Sequence, residues 1–219
     1  MTADLQQCRQ NMVEQQVRPC DVLDERVLNT LKQIPRDAYV PARYRNLAYA
    51  DTAIPLNERE VMMHPTLEGQ ILQLLDIQPE DNVLEIGTGS GYLTACLASL
   101  ACHVESYEID PQLADQARTT LQAQGVFNID ILVGDGLQST PVNKKYDVIV
   151  LTGSISQLPD YFLQALNRNG RLFMVDGDAP SMQAHLIQHV ADNGCTDTTV
   201  FETVLPRLVN GEKPAQFVF

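Results

Sequence analysis

Three glycines at alternate positions, Gly87, Gly89 and Gly91, end the apolar run Val83-Leu84-Glu85-Ile86, and a helix-favouring stretch follows from Leu93 to Leu100. Glycine at a strand's end allows a tight turn and brings the main chain within contact distance of a ligand. The helix that follows points unpaired amide hydrogens at whatever binds there. The spacing is G-x-G-x-G, so the G-x-G-x-x-G dinucleotide fingerprint and the G-x-x-x-x-G-K-[ST] phosphate loop are both absent. That points away from NAD and ATP and towards a smaller nucleoside-like cofactor. Glu108, followed by Ile109, closes the next apolar run, where an acidic side chain accepts both hydroxyls of a ribose. Asp135, between Gly134 and Gly136, closes the run after that and is placed to meet an adenine amino group. Alone, Asp110 and Asp135 would read as helix caps or turn residues. Their register with the glycine loop gives them a second meaning, an adenosine-type ligand.

The elements that must hold these residues alternate. Strand-like runs occur at 82–86, 103–108, 129–133, 146–151 and 171–175, separated by helix-like segments at 91–100, 111–124 and 160–166. Such alternation predicts a parallel sheet covered on both faces. Ligands of such sheets bind beyond the carboxyl ends of the strands. A last helix is expected over 181–193. The β-prone segments 198–205 and 215–219, flanking Asn210-Gly211, are expected to pair antiparallel at the sheet's edge. Before residue 79 the pattern differs. Residues 2–18 favour helix up to Pro19. Asp24 caps a helix to Gln33 with Val27, Leu28 and Leu31 on one face. Pro35, Pro41 and Pro55 mark loop with short strands, and a helix is expected over 66–75. The expected division is an N-terminal extension and substrate-side cap over 1–78 and a cofactor-binding core over 79–219.

With 219 residues and 44% hydrophobic content, the chain can bury a full core. A net charge of −13 and a pI near 4.5 argue against nucleic acid or an anionic membrane as partner. The five cysteines are scattered with no C-x-x-C pair, so neither a zinc site nor a disulfide framework is expected. No apolar leader or membrane-length run is visible, and a reducing cytoplasm is the expected location. His185 and His189, four apart on the expected helix, lack a third ligand, and no metal is expected. Arg36 and Arg43 are read either as attracting an anionic substrate or as pairing with surface acids.

The glycine loop with Glu108 and Asp135 resembles the S-adenosyl-L-methionine site of class I methyltransferases. More narrowly, Gly87-Thr88-Gly89-Ser90-Gly91-Tyr92 is similar to the loop of protein-L-isoaspartate O-methyltransferases. Met12-Val13-Glu14-Gln15-Gln16, then Pro35-Arg36-Asp37-Ala38-Tyr39-Val40-Pro41, then Ala48-Tyr49-Ala50-Asp51 resemble that family's M-V-x-Q-L, P-R-x-x-F-V-P and A-Y-x-D. The resemblance implies a Rossmann-like, seven-stranded, mostly parallel α/β sheet with helices on both faces, an antiparallel edge hairpin and an N-terminal extension. It implies a cofactor site drawn from Glu85, Gly87, Thr88, Gly89, Ser90, Gly91, Tyr92, Glu108, Ile109, Gly134, Asp135 and Gly136. The substrate side would use Tyr49, Asp51, Met62, Met63 and His64. The reaction implied is methylation of the L-isoaspartyl carboxylate of damaged proteins, a repair step that leaves S-adenosyl-L-homocysteine. An isoaspartyl carboxylate, with a pKa near ~4, is ionised at neutral pH and requires no general base.

One stretch departs from the family. Where the family reads G-x-G-Q-T-I-S-x-P, this chain reads Asn57-Glu58-Arg59-Glu60-Val61-Met62-Met63-His64-Pro65, so Met63 stands at the position of the family's catalytic Ser. A thioether donates no hydrogen bond. His64 is the alternative donor, and no catalytic residue is assigned. Two other readings therefore stay open: methylation of a different protein or small-molecule acceptor, and cofactor binding without transfer.

Overall fold

The computed structural model describes residues 2–138, 144–190 and 194–212. The chain opens with α1 (Thr2–Met12), which continues through a wide π turn, Val13–Val17, and a 3-10 turn, Arg18–Cys20, holding Pro19. Helix α2 (Glu25–Gln33) starts at Asp24, whose carboxylate accepts from the Arg26 amide. It buries Val27, Leu28 and Leu31, the face its spacing predicts. Two 3-10 turns, Arg36–Ala38 and Ala42–Leu47, lead to a short antiparallel ladder of β1 (Ile54–Pro55) and β2 (Val61–Met62). Helix α3 (Pro65–Leu75) follows, with proline at its first position, where no amide partner is lost.

The larger sheet has seven strands: β3 (Asn82–Ile86), β4 (His103–Glu108), β5 (Ile129–Val133), β6 (Tyr146–Ser154), β7 (Leu166–Asp178), β8 (Ser181–Val190) and β9 (Gly194–Thr203). Their order is β5-β4-β3-β6-β7-β8-β9, parallel through β7 and antiparallel at β7–β8 and β8–β9. The chain runs outward from β3 to β5, then crosses back to β6, so strand order reverses between β3 and β6. In open α/β sheets ligands bind above that switch point. Helices α4 (Tyr92–Leu100), α5 (Pro111–Ala123) and α6 (Asp160–Ala165) supply the crossovers from β3 to β4, β4 to β5 and β6 to β7.

One expectation requires correction. Residues 181–190 form strand β8 rather than a helix. The middle of that strand is covered on both faces: Met182 and Ala184 pack into one core, and Ile187 into the other. Burial on both sides erases the alternation that identifies a strand, and apolar residues four apart then imitate a helix. At the sheet's edge β9 pairs antiparallel with β8, and the expected pairing of 198–205 with 215–219 falls on a segment outside the described residues.

Helix α4 is buried nearly all round, from Tyr92 to Ala98, because the sheet lies on one side and the N-terminal helices on the other. One core cluster therefore runs from Met12, Leu28 and Leu72 through Cys96 to Val148 and Phe173. The N-terminal extension thus clamps the helix that carries the glycine loop.

Candidate donor and acceptor site

The loop leaves β3 with positive φ at Gly87 (+98°), Gly89 (+53°) and Gly91 (+82°), a region that side chains other than glycine's strain to occupy. A Cβ on Gly87 would overlap Thr152 Oγ1, which itself donates to the carbonyls of Ile86 (3.0 Å) and Gly87 (2.8 Å). The amides of Gly87 and Thr88 both donate to the Tyr107 carbonyl. The loop is thus tied to β6 on one side and β4 on the other.

Glu108 is buried at the end of β4. Its Oε2 accepts from the Gly89 amide at 2.7 Å and its Oε1 from the Asp110 amide at 3.0 Å. Asp135 accepts from the Leu137 amide through Oδ1 (2.9 Å) and from Asn210 Nδ2 through Oδ2 (2.8 Å). Each carboxylate oxygen keeps a lone pair, so both groups are oriented by the protein yet able to accept from a ligand. A Cβ on Gly136 would come within 2.8 Å of Ile86 Cδ1, which leaves glycine as the residue that fits between the two strand ends.

These residues line one cavity of about 900 Å³, counting its open mouth. Its floor is Gly87, Thr88, Gly89 and Ser90 with Glu108, Ile109, Gly134, Asp135 and Gly136. One wall is Leu56 and Glu60 to Met63, with Glu68 beneath, and the other is Leu205 to Val209. The second wall is held by a parallel bridge between Ser154 and Arg207 and by Ser154 and Pro206 main-chain pairing. Burial, with Glu108 and Asp110 nearby, raises the Glu60 carboxyl above its usual range, and Arg59 opposes the rise. Arg207, the cation lining the cavity, is tied to Asp178.

The remaining expected site residues do not line the cavity. Glu85 is fully buried beneath the loop; its Oε2 accepts from Thr94 Oγ1 and Ser106 Oγ, both at 2.6 Å, and Ser106 meets Thr88 Oγ1 at 2.5 Å. Burial pushes its carboxyl up to about 8, with the two hydroxyls pulling the other way. Gly91 caps α4, and Tyr92 is wholly buried against Tyr39. Tyr49 donates its hydroxyl to Asp37. Asp51 accepts from the Thr66 hydroxyl (2.8 Å) and amide (3.2 Å) at the start of α3, and His64 precedes that helix half-exposed, 3.9 Å from Asp51. Arg36 neither faces solvent nor waits for an anion: it is buried against Glu68. Arg43 is exposed beside the Tyr44 ring, on a groove next to the cavity. His185 and His189 sit on β8, where His185 meets Asp176 and Asp197 and His189 meets the Asn167 carbonyl. Among the described residues no group of three or more His, Cys, Asp or Glu is placed to hold a metal.

Sequence reasoning passed over Leu56, Glu68, Thr152, Leu208 and the Asn210 contact. Glu68 carried one signal, an acid inside an otherwise apolar helix pattern. Leu56, Thr152 and Leu208 carried none, since their place depends on which strands become neighbours.

The arrangement suits a nucleoside bearing a cationic centre. The strand-end carboxylates offer acceptors, the glycines open a cradle that side chains would fill, and the lining is acidic. A family model described as protein-L-isoaspartate(D-aspartate) O-methyltransferase matches residues 7–211. A protein-L-isoaspartate O-methyltransferase of Methanoculleus marisnigri is 39% identical, covering 87% of this chain and 86% of its own. One from Koribacter versatilis is 36% identical over 80% of this chain and 79% of its own. A Plasmodium falciparum chain assigned to the same class, solved with S-adenosyl-L-homocysteine, superposes with a TM-score of 0.78. It covers 90% of this chain and 96% of its own at 20% identity, a likeness of fold.

Proposed function

Since the chain belongs to the protein-L-isoaspartate(D-aspartate) O-methyltransferase family, we propose that it methylates the carboxylate of L-isoaspartyl residues in damaged proteins or peptides. S-adenosyl-L-methionine supplies an electrophilic methyl on its sulfonium, and S-adenosyl-L-homocysteine leaves. The observation that carries this reading is the single cavity joining the glycine loop, Glu108 and Asp135 to the wall from Glu60 to Met63.

Glu108 accepts the ribose hydroxyls and Asp135 the adenine amine, while Gly87, Thr88, Gly89 and Ser90 take the methionine end. Ile109, Gly134 and Gly136 give the adenosine its shape. Glu85, Gly91 and Tyr92 act from beneath by fixing the loop. The acceptor meets Met62 and Met63, with Leu208 opposite, and these apolar walls keep water from the methyl group. The acceptor carboxylate arrives already ionised, so the chain's task is alignment and exclusion of water. Met63 offers no hydrogen bond to that carboxylate, which leaves the contact apolar. Residues 1–78 form the acceptor-side cap and 79–219 the donor-binding core. No helix among the described residues is long and apolar enough to cross a membrane. A cytoplasmic location accords with the exposed free thiols of Cys8, Cys20, Cys102 and Cys195.

The test is methyl ester formation on an isoaspartyl peptide and on its twin with ordinary aspartate, using labelled donor. The proposal expects ester on the first alone. Donor binding with no ester on the isoaspartyl peptide would contradict it. Label on another cellular protein or metabolite would then favour a different acceptor, and none anywhere a binding protein.

A further inference from the structure

Arg36 is fully buried, and its guanidinium joins segments far apart in the chain. Its Nη1 pairs with Glu68 Oε2 on α3. Its Nη2 donates to the Met63 carbonyl at 2.5 Å, and its centre lies 4.7 Å from the ring centre of Tyr92, the first residue of α4. Its Nε has no partner among the described residues. Burial pushes the Glu68 carboxyl up to about 7, against the pull of Arg36. As a stabilising device such a pair is poor. Desolvating two charges cancels most of their attraction, and replacing both with apolar groups is often neutral. What the pair does uniquely is hold the main chain at Met63, the residue where the family's hydroxyl is missing, beside a glutamate that itself lines the cavity.

We propose that the Arg36–Glu68 pair is a positioning device for the acceptor wall. Arg36 fixes the Met63 carbonyl, Glu68 fixes Arg36, and Met62 and Met63 are thereby held as a rigid apolar surface over the donor. With no hydroxyl to grip an acceptor carboxylate, alignment rests on the shape of this wall, and shape requires the main chain to be immobile. The inference rests on the reading that Met62 and Met63 face the acceptor. It adds Arg36, buried behind the wall, and Glu68, beneath it at the cavity's edge, as the residues that decide how the wall meets the acceptor.

Two variants test it against wild type. Arg36→Lys keeps a cation opposite Glu68 but loses the planar fork that reaches two partners. The double variant Arg36→Met/Glu68→Leu removes both charges and keeps the bulk. Both are examined by thermal unfolding, by hydrogen exchange of the Val61, Met62 and Met63 amides, by S-adenosyl-L-homocysteine calorimetry, and by KM and kcat with an isoaspartyl peptide. Exchange at those amides is expected to quicken about tenfold in both, the change that losing a charge-assisted hydrogen bond produces. Acceptor KM should rise by about the same factor, while in Arg36→Lys, at a residue that does not line the cavity, S-adenosyl-L-homocysteine affinity stays within about threefold. Wild-type exchange and wild-type KM in the folded double variant would overturn the proposal. Should the double variant fail to fold, Arg36→Lys decides by the same two readouts. If wild type forms no ester, the proposed function falls, and the exchange measurement still decides whether the pair holds the wall.

Discussion

The end of the cavity proposed for the donor and the end proposed for the acceptor are made of different materials. From Gly87 to Ser90 the donor end is main chain, bounded by Glu108 and Asp135, whose oxygens are each held by an amide of a neighbouring turn or side chain. The acceptor end is side chains: Leu56, Val61, Met62, Met63 and Leu208. Beneath the donor loop lies a chain of short hydrogen bonds through Thr88, Ser106, Glu85 and Thr94, and beneath the acceptor wall a single ion pair. Main-chain geometry tolerates little change of residue, whereas an apolar wall accepts any side chain of suitable volume. The two ends can therefore diverge independently.

The largest effect expected at the donor end is from Gly87→Ala. A side chain at φ +98° strains the main chain and strikes Thr152. A loss of about 2–5 kcal/mol in unfolding free energy is expected, with donor binding abolished. Denaturant titration and calorimetry read both. Near-normal donor affinity in this variant would break the claim that the loop's main chain forms the site.

Glu85 sharpens the contrast through pH. Burial pushes its folded carboxyl up to about 8, above the ordinary carboxyl value of 4.5, so between those values the folded protein holds a proton that the unfolded chain releases. Stability contributed by this group is therefore present at low pH and falls as pH rises through that window, by up to about 3 kcal/mol between pH 5 and 8. In Glu85→Gln that part of the slope should vanish, as thermal unfolding across the range would reveal. An unchanged slope would show that the network under the loop is not held by a neutral carboxyl.

A smaller effect is expected at the adenine end. Asn210→Asp sets a second carboxylate where an amide now donates to Asp135 at 2.8 Å. Losing that bond should weaken donor binding by about 1–2 kcal/mol at neutral pH, and lowering the pH should restore part of it. Calorimetry at pH 5 and pH 7.5 would separate repulsion from a simple loss of contact.

The donor end was legible because its determinants are local. Gly87, Gly89 and Gly91 announce a turn, and Glu108 and Asp135 fall at the ends of runs whose parallel alternation is visible in the chain. The same local reading misjudged Ser181–Val190, where two-sided burial of Ala184, Leu186 and Ile187 hid the strand. It did not foresee that Tyr49 bonds Asp37, nor that Asp51 bonds Thr66 at the start of α3, contacts set by the folded chain. Arg36 illustrates the limit: its partners are 27 and 32 residues away, and nothing local indicates that its charge is buried.

The claim that the two ends are separable is tested most directly by Met63→Ser, with donor affinity and kcat/KM for an isoaspartyl peptide measured on the same protein. A hydroxyl here can donate to the acceptor carboxylate without touching the donor loop. The expected result is an unchanged donor Kd and a kcat/KM raised about tenfold, the worth of one hydrogen bond to a charged group. An unchanged kcat/KM, or a donor Kd that moves with it, would contradict the account.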